Sequence, residues 1–536
     1  MGITKSNKVD THILDLPDEI LHIIFKKLST IDMLYSLVGV NQRFNCLGLD
    51  YLCVHDLDLV AKRTDTPIIS ADIDIRDKIC KIILPQIDDK ITKLSVDPFF
   101  MQGIFHTGRF PKLYSLSLIN YTPDIFFKAL TDRTLFRLLT DQITDFTASI
   151  HCIEENELIE MEPPIFETIL SYGKHLTNVT LFQHSSRDDY PAFYIRHILT
   201  ISSLSSTITN LTIYVKTFED CLLLLNGCLQ YLSTLIIRIQ EIKCLSSHFE
   251  NVERLPKLKS FSLETRLYTL YYDSQIVPLL HRMFNLEELT LHLPVIRSDS
   301  TYINGDDLYD EILHYMPRLK RFLFNIHTRV VNNHVNIDLP SNDDIRNSFM
   351  KRGFQSVDAF TDYKLAKNSA SCHVYSLPYS FSEFSFVGSC FRGGHFNQVR
   401  MLSMVDQRPF EYELFQIISQ DFPLLEELTI INSEPQENRE HHGQRALIFS
   451  HLFHLAIIFV HRDYMMQFLS ERNALLPSLT HLKMDYKVLR AVTNNFTNDE
   501  ELLNCTKVKV LSARNLPRNR PSKFDTYFSC PIRYLT

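Results

Sequence analysis

Residues 422–431 read FPLLEELTII. Leu425, Leu428 and Ile430 form an L-x-x-L-x-L pattern, and its last pair alternates as a strand with one face inward does. The pattern returns roughly every 20 to 35 residues along most of the chain. Clear copies begin at Leu113, Leu176, Ile208, Leu232, Leu258, Leu286 and Leu319, and after a gap at Val399, Leu425, Leu452 and Leu479. Weaker ones begin at Ile91, Ile143 and Val508. Several are preceded by one phrase, FPKL, LPKL, MPRL, FPLL or LPSL, in which proline punctuates the passage from helix to strand. Stretches between copies, such as 307–314 and 412–419, read as helices. A strand and a helix per unit leave an apolar face that only a neighbouring unit buries. The expected fold class is α/β with a parallel sheet.

This strand–helix unit resembles a leucine-rich repeat. The resemblance implies an irregular solenoid whose strands line a parallel concave sheet. The asparagine or cysteine typical of such repeats is replaced by Tyr121, His184 and Lys216 in three copies, and the spacing is uneven. A generic α/β protein with leucine-rich strands is the plainer alternative. If the strands line an inner face, the outward positions include Thr180, Phe182, Thr212, Tyr214, Ile236, Arg238, Ser262, Glu264, Thr290, His292, Leu323 and Asn325. Large exposed apolar groups mark contacts, and Tyr and Arg are common anchors. Phe182, Tyr214, Arg238 and His292 are therefore the candidates for binding a protein, unless a helical flank covers them. Residues 325–396 break the rhythm, with a polar loop at 332–347, strands at 355–360 and 371–377, and Phe354–Val357–Ala359 as a decayed copy. The aromatic phrase SLPYSFSEFSF, 376–386, is expected to pack across the repeats or bind a partner.

The N-terminal stretch 13–47, ILDLPDEILHIIFKKLSTIDMLYSLVGVNQRFNCL, has a different texture. Pro17 suits the first turn of a helix, and Asp18 and Glu19 complement its positive end. Ile20, Leu21, Ile24, Phe25 and Leu28 follow at helical spacing. Ser29 and Asp32 form an S-x-x-D start for a second helix carrying Met33, Leu34, Leu37 and Val38. Phe44 and Leu47 suggest a third turn. So short a module is too small for a core of its own. Amphipathicity does not name its partner, and an ordinary helical pair packed on the next domain fits the same pattern.

These residues resemble an F-box. Ile13, Leu16, Pro17, Glu19, Ile20, Leu21, Ile24, Phe25, Leu28, Asp32, Met33, Val40, Arg43 and Phe44 match its pattern in order and spacing. Met33 stands for the usual leucine, a mild change in volume, and the chain has no tryptophan where many members carry one. The second half of the chain, with the SLPYSF phrase, resembles a group of F-box proteins with divergent leucine-rich repeats. The resemblance implies docking on a Skp-type adaptor, and through it on a cullin, by Leu16, Pro17, Ile20, Leu21, Ile24, Phe25 and Leu28. It implies a substrate-recognition subunit of a cullin–RING ubiquitin ligase. A non-degradative binding scaffold that assembles no ligase is the alternative. The implied division is a flexible N-terminus 1–10, an F-box 11–55, a first repeat half 56–330, an irregular insertion 331–395 and a second half 396–536.

Composition narrows the rest. The 536 residues are 45% hydrophobic and 22% charged, with a net charge of −8, which is globular and gives no reason to expect nucleic acid. Thirteen glycines speak against nucleotide loops. The basic residues Arg514, Arg518, Arg520 and Lys523 read as a solvated loop. No apolar stretch suits a signal peptide or a membrane span. Gly2 and Ser6 fit a minimal myristoylation pattern, often met by chance. Eleven cysteines without a C-x-x-C pair suit a reducing compartment, in the cytoplasm or nucleus. His461-Arg462-Asp463 spells the start of a kinase loop, but Phe468 stands where its asparagine belongs. His441 and His442 lie in a charged loop that reads as solvent rather than metal ligand. No catalytic motif occurs, so no enzyme activity, cofactor or metal is expected.

Overall fold

A computed structural model describes residues 13–25, 27–48, 55–60, 70–152, 165–185, 207–225, 229–245, 255–298, 300–331, 339–354, 356–364, 369–437, 446–496, 504, 508–517, 524, 528 and 532–535. The expected flexible N-terminus with Gly2 and Ser6, His441, His442, Arg518, Arg520 and Lys523 lie outside them. The chain divides into two compact units: Met1–His292 with Leu313–Phe322, and Leu293–Ile312 with Leu323–Thr536.

The first unit opens with three short helices, α1 (Asp18–Phe25), α2 (Thr30–Leu37) and α3 (Gln42–Cys46). Its strands are β1 (Asp56–Leu59), β2 (Lys93–Val96), β3 (Ser115–Tyr121), β4 (Asp145–Cys152), β5 (Asn178–Ser185), β6 (Asn210–Thr217), β7 (Thr234–Glu241), β8 (Ser260–Thr265) and, as far as His292, β9 (Glu288–Arg297). Each pairs in parallel with the next in sequence. Parallel neighbours need a crossover, and helices such as Pro98–Thr107 and Arg133–Asp141 supply it, capped by Asp97 and Asp132. The register sets Leu57, Leu94, Leu116, Phe146, Val179, Leu211, Leu235, Phe261 and Leu289 in one buried file. The partners two residues on, from Leu59 to Leu291, form a second. These files are the L-x-L pairs of the sequence, and the weaker copies at Leu94 and Phe146 take their places in them.

Turns keep the register. In FPKL, LPKL and MPRL the leucine N–H donates to the carbonyl three residues back: Leu113 to Phe110, Leu258 to Leu255, Leu319 to Met316. Proline is then the second residue of a β-turn, where its fixed φ is pre-set. One residue beyond each turn, a single carbonyl accepts two N–H groups of the next strand. Thr144 O takes Thr177 and Asn178, Thr177 O takes Thr209 and Asn210, and Thr209 O takes Ser233 and Thr234, all at 2.8–3.0 Å.

β10 (Arg321–Val331) follows. In the second unit it pairs antiparallel with β12 (Ser369–Ser376), which pairs antiparallel with β11 (Val357–Lys364). The expected strands are thus present, but Val357 and Ala359 are not a decayed parallel copy. The described end of the expected polar loop is a helix, Asn342–Lys351, started by a reciprocal capping pair of Ser341 and Asp344. Six parallel strands then follow β13 (Glu383–Val387): β14 (Met401–Val405), β15 (Glu427–Ile431), β17 (His454–Ile457), β19 (His481–Asp485), β20 (Val510–Arg514) and β21 (Ile532–Leu535). The short β16 (Leu447–Ile448) and β18 (Ala474–Leu475) pair with each other. Leu402, Leu428, Leu455, Leu482 and Leu511 stand in one buried file. The aromatic phrase packs into this core: Tyr379 and Phe384 are buried beside Phe396 and Phe422, whose rings stack at 4.6 Å.

Candidate functional site

The N-terminal module is built by local rules. Ile20 and Leu21 N–H both donate to Pro17 O at 3.1 Å, closing the first turn of α1. Ser29 caps α2 by accepting from Asp32 N–H at 3.1 Å, and Asn41 caps α3 by accepting from Phe44 N–H at 2.7 Å. Leu21, Phe25 and Phe44 form a small buried core, with Leu16, Leu37 and Leu47 packed around it. The Phe25 and Phe44 rings meet edge to face at 5.6 Å, a contact that contributes about 0.5–1.5 kcal/mol beyond burial. A core this small is marginal, and α2 adds a second anchorage. Its Met33 and Leu34 are buried, it packs on β1 and on the helix Ser70–Lys78, and Lys78 Nζ donates to Tyr35 O at 2.6 Å.

Arg43 ties the segment before α1 to α3. Its guanidinium donates to Leu14 O at 2.6 Å, Leu16 O at 2.7 Å and Asp18 Oδ1 at 2.5 and 2.9 Å. It belongs to the sequence match but carries no role there. Its partners are mostly backbone oxygens more than two dozen residues away, which no side-chain pattern reveals.

The seven adaptor candidates divide. Leu21 and Phe25 point inward and are almost fully covered. They hold the module together and offer a partner nothing, a correction to their reading as contact residues. Leu16 is half-buried against that core, whereas Pro17, Ile20, Ile24 and Leu28 are exposed. Ile23, absent from the expected set, is the most open residue of the stripe at 57% exposure. α1 is thus apolar on two sides, one covered and one not. A helix apolar all round is normally buried. Full burial of one aliphatic side chain contributes about 1.5–3 kcal/mol, so this stripe holds several kcal/mol that only another surface can release.

The four protein-binding candidates lie on the other face of the first unit's sheet. Arg238 pairs in register with Tyr214 and with Glu264, and Glu264 pairs with His292. Phe182 and Tyr214 each follow the paired Leu181 and Ile213. All four candidates therefore stand in one row across β5–β9. Phe182, Tyr214 and Arg238 are half-buried. Arg238 donates to Tyr214 Oη, lies over its ring at 4.5 Å and pairs with Glu264 at 2.6 Å. His292 is buried, and so is Asn325. From Leu291 to Val295 both sides of β9 are covered, so the alternation that opens one face on β5–β8 stops there. For Asn325 the cover is visible: Nδ2 donates to Tyr379 Oη at 2.7 Å, and Oδ1 meets His373 Nε2.

The remaining motifs have structural duties. His461 caps the helix Arg462–Leu469, its ring accepting from Asp463 N–H at 3.3 Å. Burial pushes the Cys80 thiol up to about 11 and raises Cys221 and Cys372 further. They stay protonated and act as small core residues. Among the described residues no three His, Cys, Asp or Glu side chains gather as a metal site, and no helix is long and apolar enough to cross a membrane.

Comparison with protein families assigns residues 13–50 to the F-box domain. No curated protein matches the chain. F-box domains bind Skp-type adaptors, and their presence points to a substrate-recognition role in ubiquitin ligases.

Proposed function

We propose that this chain is the substrate-recognition subunit of a cullin–RING ubiquitin ligase. The observation that carries the reading is the F-box at 13–50 with an uncovered apolar stripe on α1. The stripe docks on a Skp-type adaptor, which joins a cullin. The rest of the chain is an irregular leucine-rich repeat solenoid; its strand-to-next-strand pairing and shared turn carbonyls support this. The half-open row of Phe182, Tyr214 and Arg238 receives the substrate protein. This subunit performs no chemistry, and its contribution to rate is proximity alone. It works in the cytoplasm or nucleus. The test is purification of the full chain from cells. Cullin recovered with the wild type, and lost from an Ile20→Ser/Ile24→Ser variant, supports a ligase. Adaptor without cullin favours a non-degradative scaffold. Recovery of neither sinks the adaptor reading.

A further inference from the structure

The strand-start turns of the two units share geometry but not charge. In the proline phrases the residue after proline is Lys112, Lys257 or Arg318 in the first unit, and Leu424 or Ser478 in the second. The turn itself asks for no cation. Leu425 N–H reaches Phe422 O at 3.2 Å without one, much as Leu319 N–H reaches Met316 O at 3.1 Å with one. The charge therefore answers to something outside the turn.

Four consecutive turns, those before β7 to β10, form one edge of the first unit; the first supplies Tyr231 and the other three supply the charge. Leu255 N–H donates to Arg282 O at 3.3 Å, Asn285 Nδ2 donates to Pro256 O at 2.9 Å, and Lys257 Nζ lies 4.3 Å over the Tyr231 ring. Among the described residues these turns and strand starts carry six cations, Lys257, Lys259, Arg282, Arg318, Lys320 and Arg321, against two carboxylates, Glu287 and Glu288. Lys320 bonds to Glu287 at 2.5 Å, and its charge with those of Lys259 and Arg318 holds that carboxyl below the usual range. Lys257, Lys259, Arg318 and Lys320 are exposed. Tyr231 and Tyr315 flank them at 57% and 46% exposure, on a chain whose net charge is −8.

We infer that this edge binds an acidic polypeptide segment, with Asp or Glu side chains on the cations and the flanking residues on Tyr231 and Tyr315. Three strand spacings make the patch about 14 Å long, which an extended segment crosses in about four or five residues. A nucleic acid fits less well, because a long polyanion runs past so short a patch onto a negatively charged protein. The inference does not depend on the adaptor reading, since the F-box takes no part.

The test is fluorescence anisotropy of the full chain with a labelled Asp/Glu peptide of ~8 residues, enough to overreach the patch, and with its Asn/Gln counterpart. Acidic peptide should bind more tightly than neutral peptide. Lys257→Glu with Arg318→Glu should weaken it about tenfold or more, as reversal of contacting charges does. Lys487→Glu with Lys509→Glu, exposed in the second unit, makes the same change in net charge and should leave binding intact. Equal binding of the two peptides overturns the inference, and so does equal loss in both variants. A labelled oligouridylate that binds more tightly than the acidic peptide, with the same sensitivity, replaces it by a nucleic-acid site. If the melting temperature of the reversed variant falls, Lys257→Gln with Arg318→Gln gives the same reading.

Discussion

The outer stripe of α1 and the half-open row of β5–β8 both face solvent, but their side chains are in different states. Ile20, Ile23 and Ile24 have no polar atom to satisfy and gain only by leaving water. Tyr214, Arg238 and Glu264 already hold one another. A partner on α1 adds burial without breaking anything. A partner on the row must offer contacts at least as good as those it displaces, because an unpaired, desolvated charge costs more than the pair contributed. An apolar stripe therefore suits one constant partner. A satisfied polar row suits selection among partners, accepting those that complete the network and rejecting those that disrupt it.

The largest effects test the frame beneath both surfaces. Leu289→Ala or Leu428→Ala leaves a cavity in a leucine file and should cost roughly 2–5 kcal/mol in urea unfolding. Wild-type stability in either variant would mean that the files do not carry the sheets. On α1 the inward and outward residues should separate. Phe25→Ala should destabilise the module by about 3–5 kcal/mol. Ile20→Ser with Ile24→Ser should leave melting unchanged and cost about 2–4 kcal/mol of adaptor affinity. If the two variants behave alike, α1 has no division of faces.

Arg43→Met probes how the outer stripe is presented. The ion pair with Asp18 is largely exposed and adds little, so the loss should come from the hydrogen bonds to Leu14 and Leu16 carbonyls, about 1–2 kcal/mol. Amide exchange of Ile20 and Leu21 should quicken while exchange across β3–β8 stays constant. Unchanged exchange at α1 would show that the Pro17 turn stands without this tie.

These comparisons also mark how far the sequence is legible. The L-x-L pairs place the strands because alternation and parallel register are local consequences of leucine spacing; even the weak pairs at Leu94 and Phe146 are read correctly. β1 escapes although Val54, Leu57 and Leu59 have the same spacing as the copy that opens at Val399, because Asp56 and Asp58 flank its leucines with residues poorly suited to strands. β13 is hidden within an aromatic phrase whose rings serve the core. Which side of α1 meets the module cannot be read from period alone, since Ile20 and Leu21 are equally apolar neighbours that point about 100° apart, and both lie within one wide apolar stripe. His292 and Asn325 are misplaced for a related reason: alternation identifies two faces, but the cover over the second one comes from residues distant in sequence.

Within the row, a Tyr214→Phe and Arg238→Met double-mutant cycle should give a coupling of about 0.5–1.5 kcal/mol, the size of the hydrogen bond from Arg238 to Tyr214 Oη, since Phe keeps the ring beneath the guanidinium. Additive losses would mean that the two side chains stand in the row independently, and the selectivity argument would lose its basis.

The smallest effect compares that paired cation with one in the second sheet. Lys483 on β19 is lowered from the ordinary lysine value of 10.5, first by burial and then by the like charge of Arg514. In the folded chain it therefore gives up its proton before an unfolded lysine does. Between the folded value and 10.5 the unfolded chain holds more protons, so the contribution of this residue to stability rises with pH. Below that window the folded state bears the cost of a charged, half-buried ammonium. Lys483→Met removes the cost, so the variant should be the more stable one at neutral pH, and its advantage should shrink as pH approaches 10.5. Arg238→Met should show no such trend, since a guanidinium stays charged throughout. Paired urea melts at neutral and alkaline pH read both. A Lys483→Met advantage that is constant with pH would show that the ammonium pays no penalty in the fold, and the contrast between the two cations would disappear.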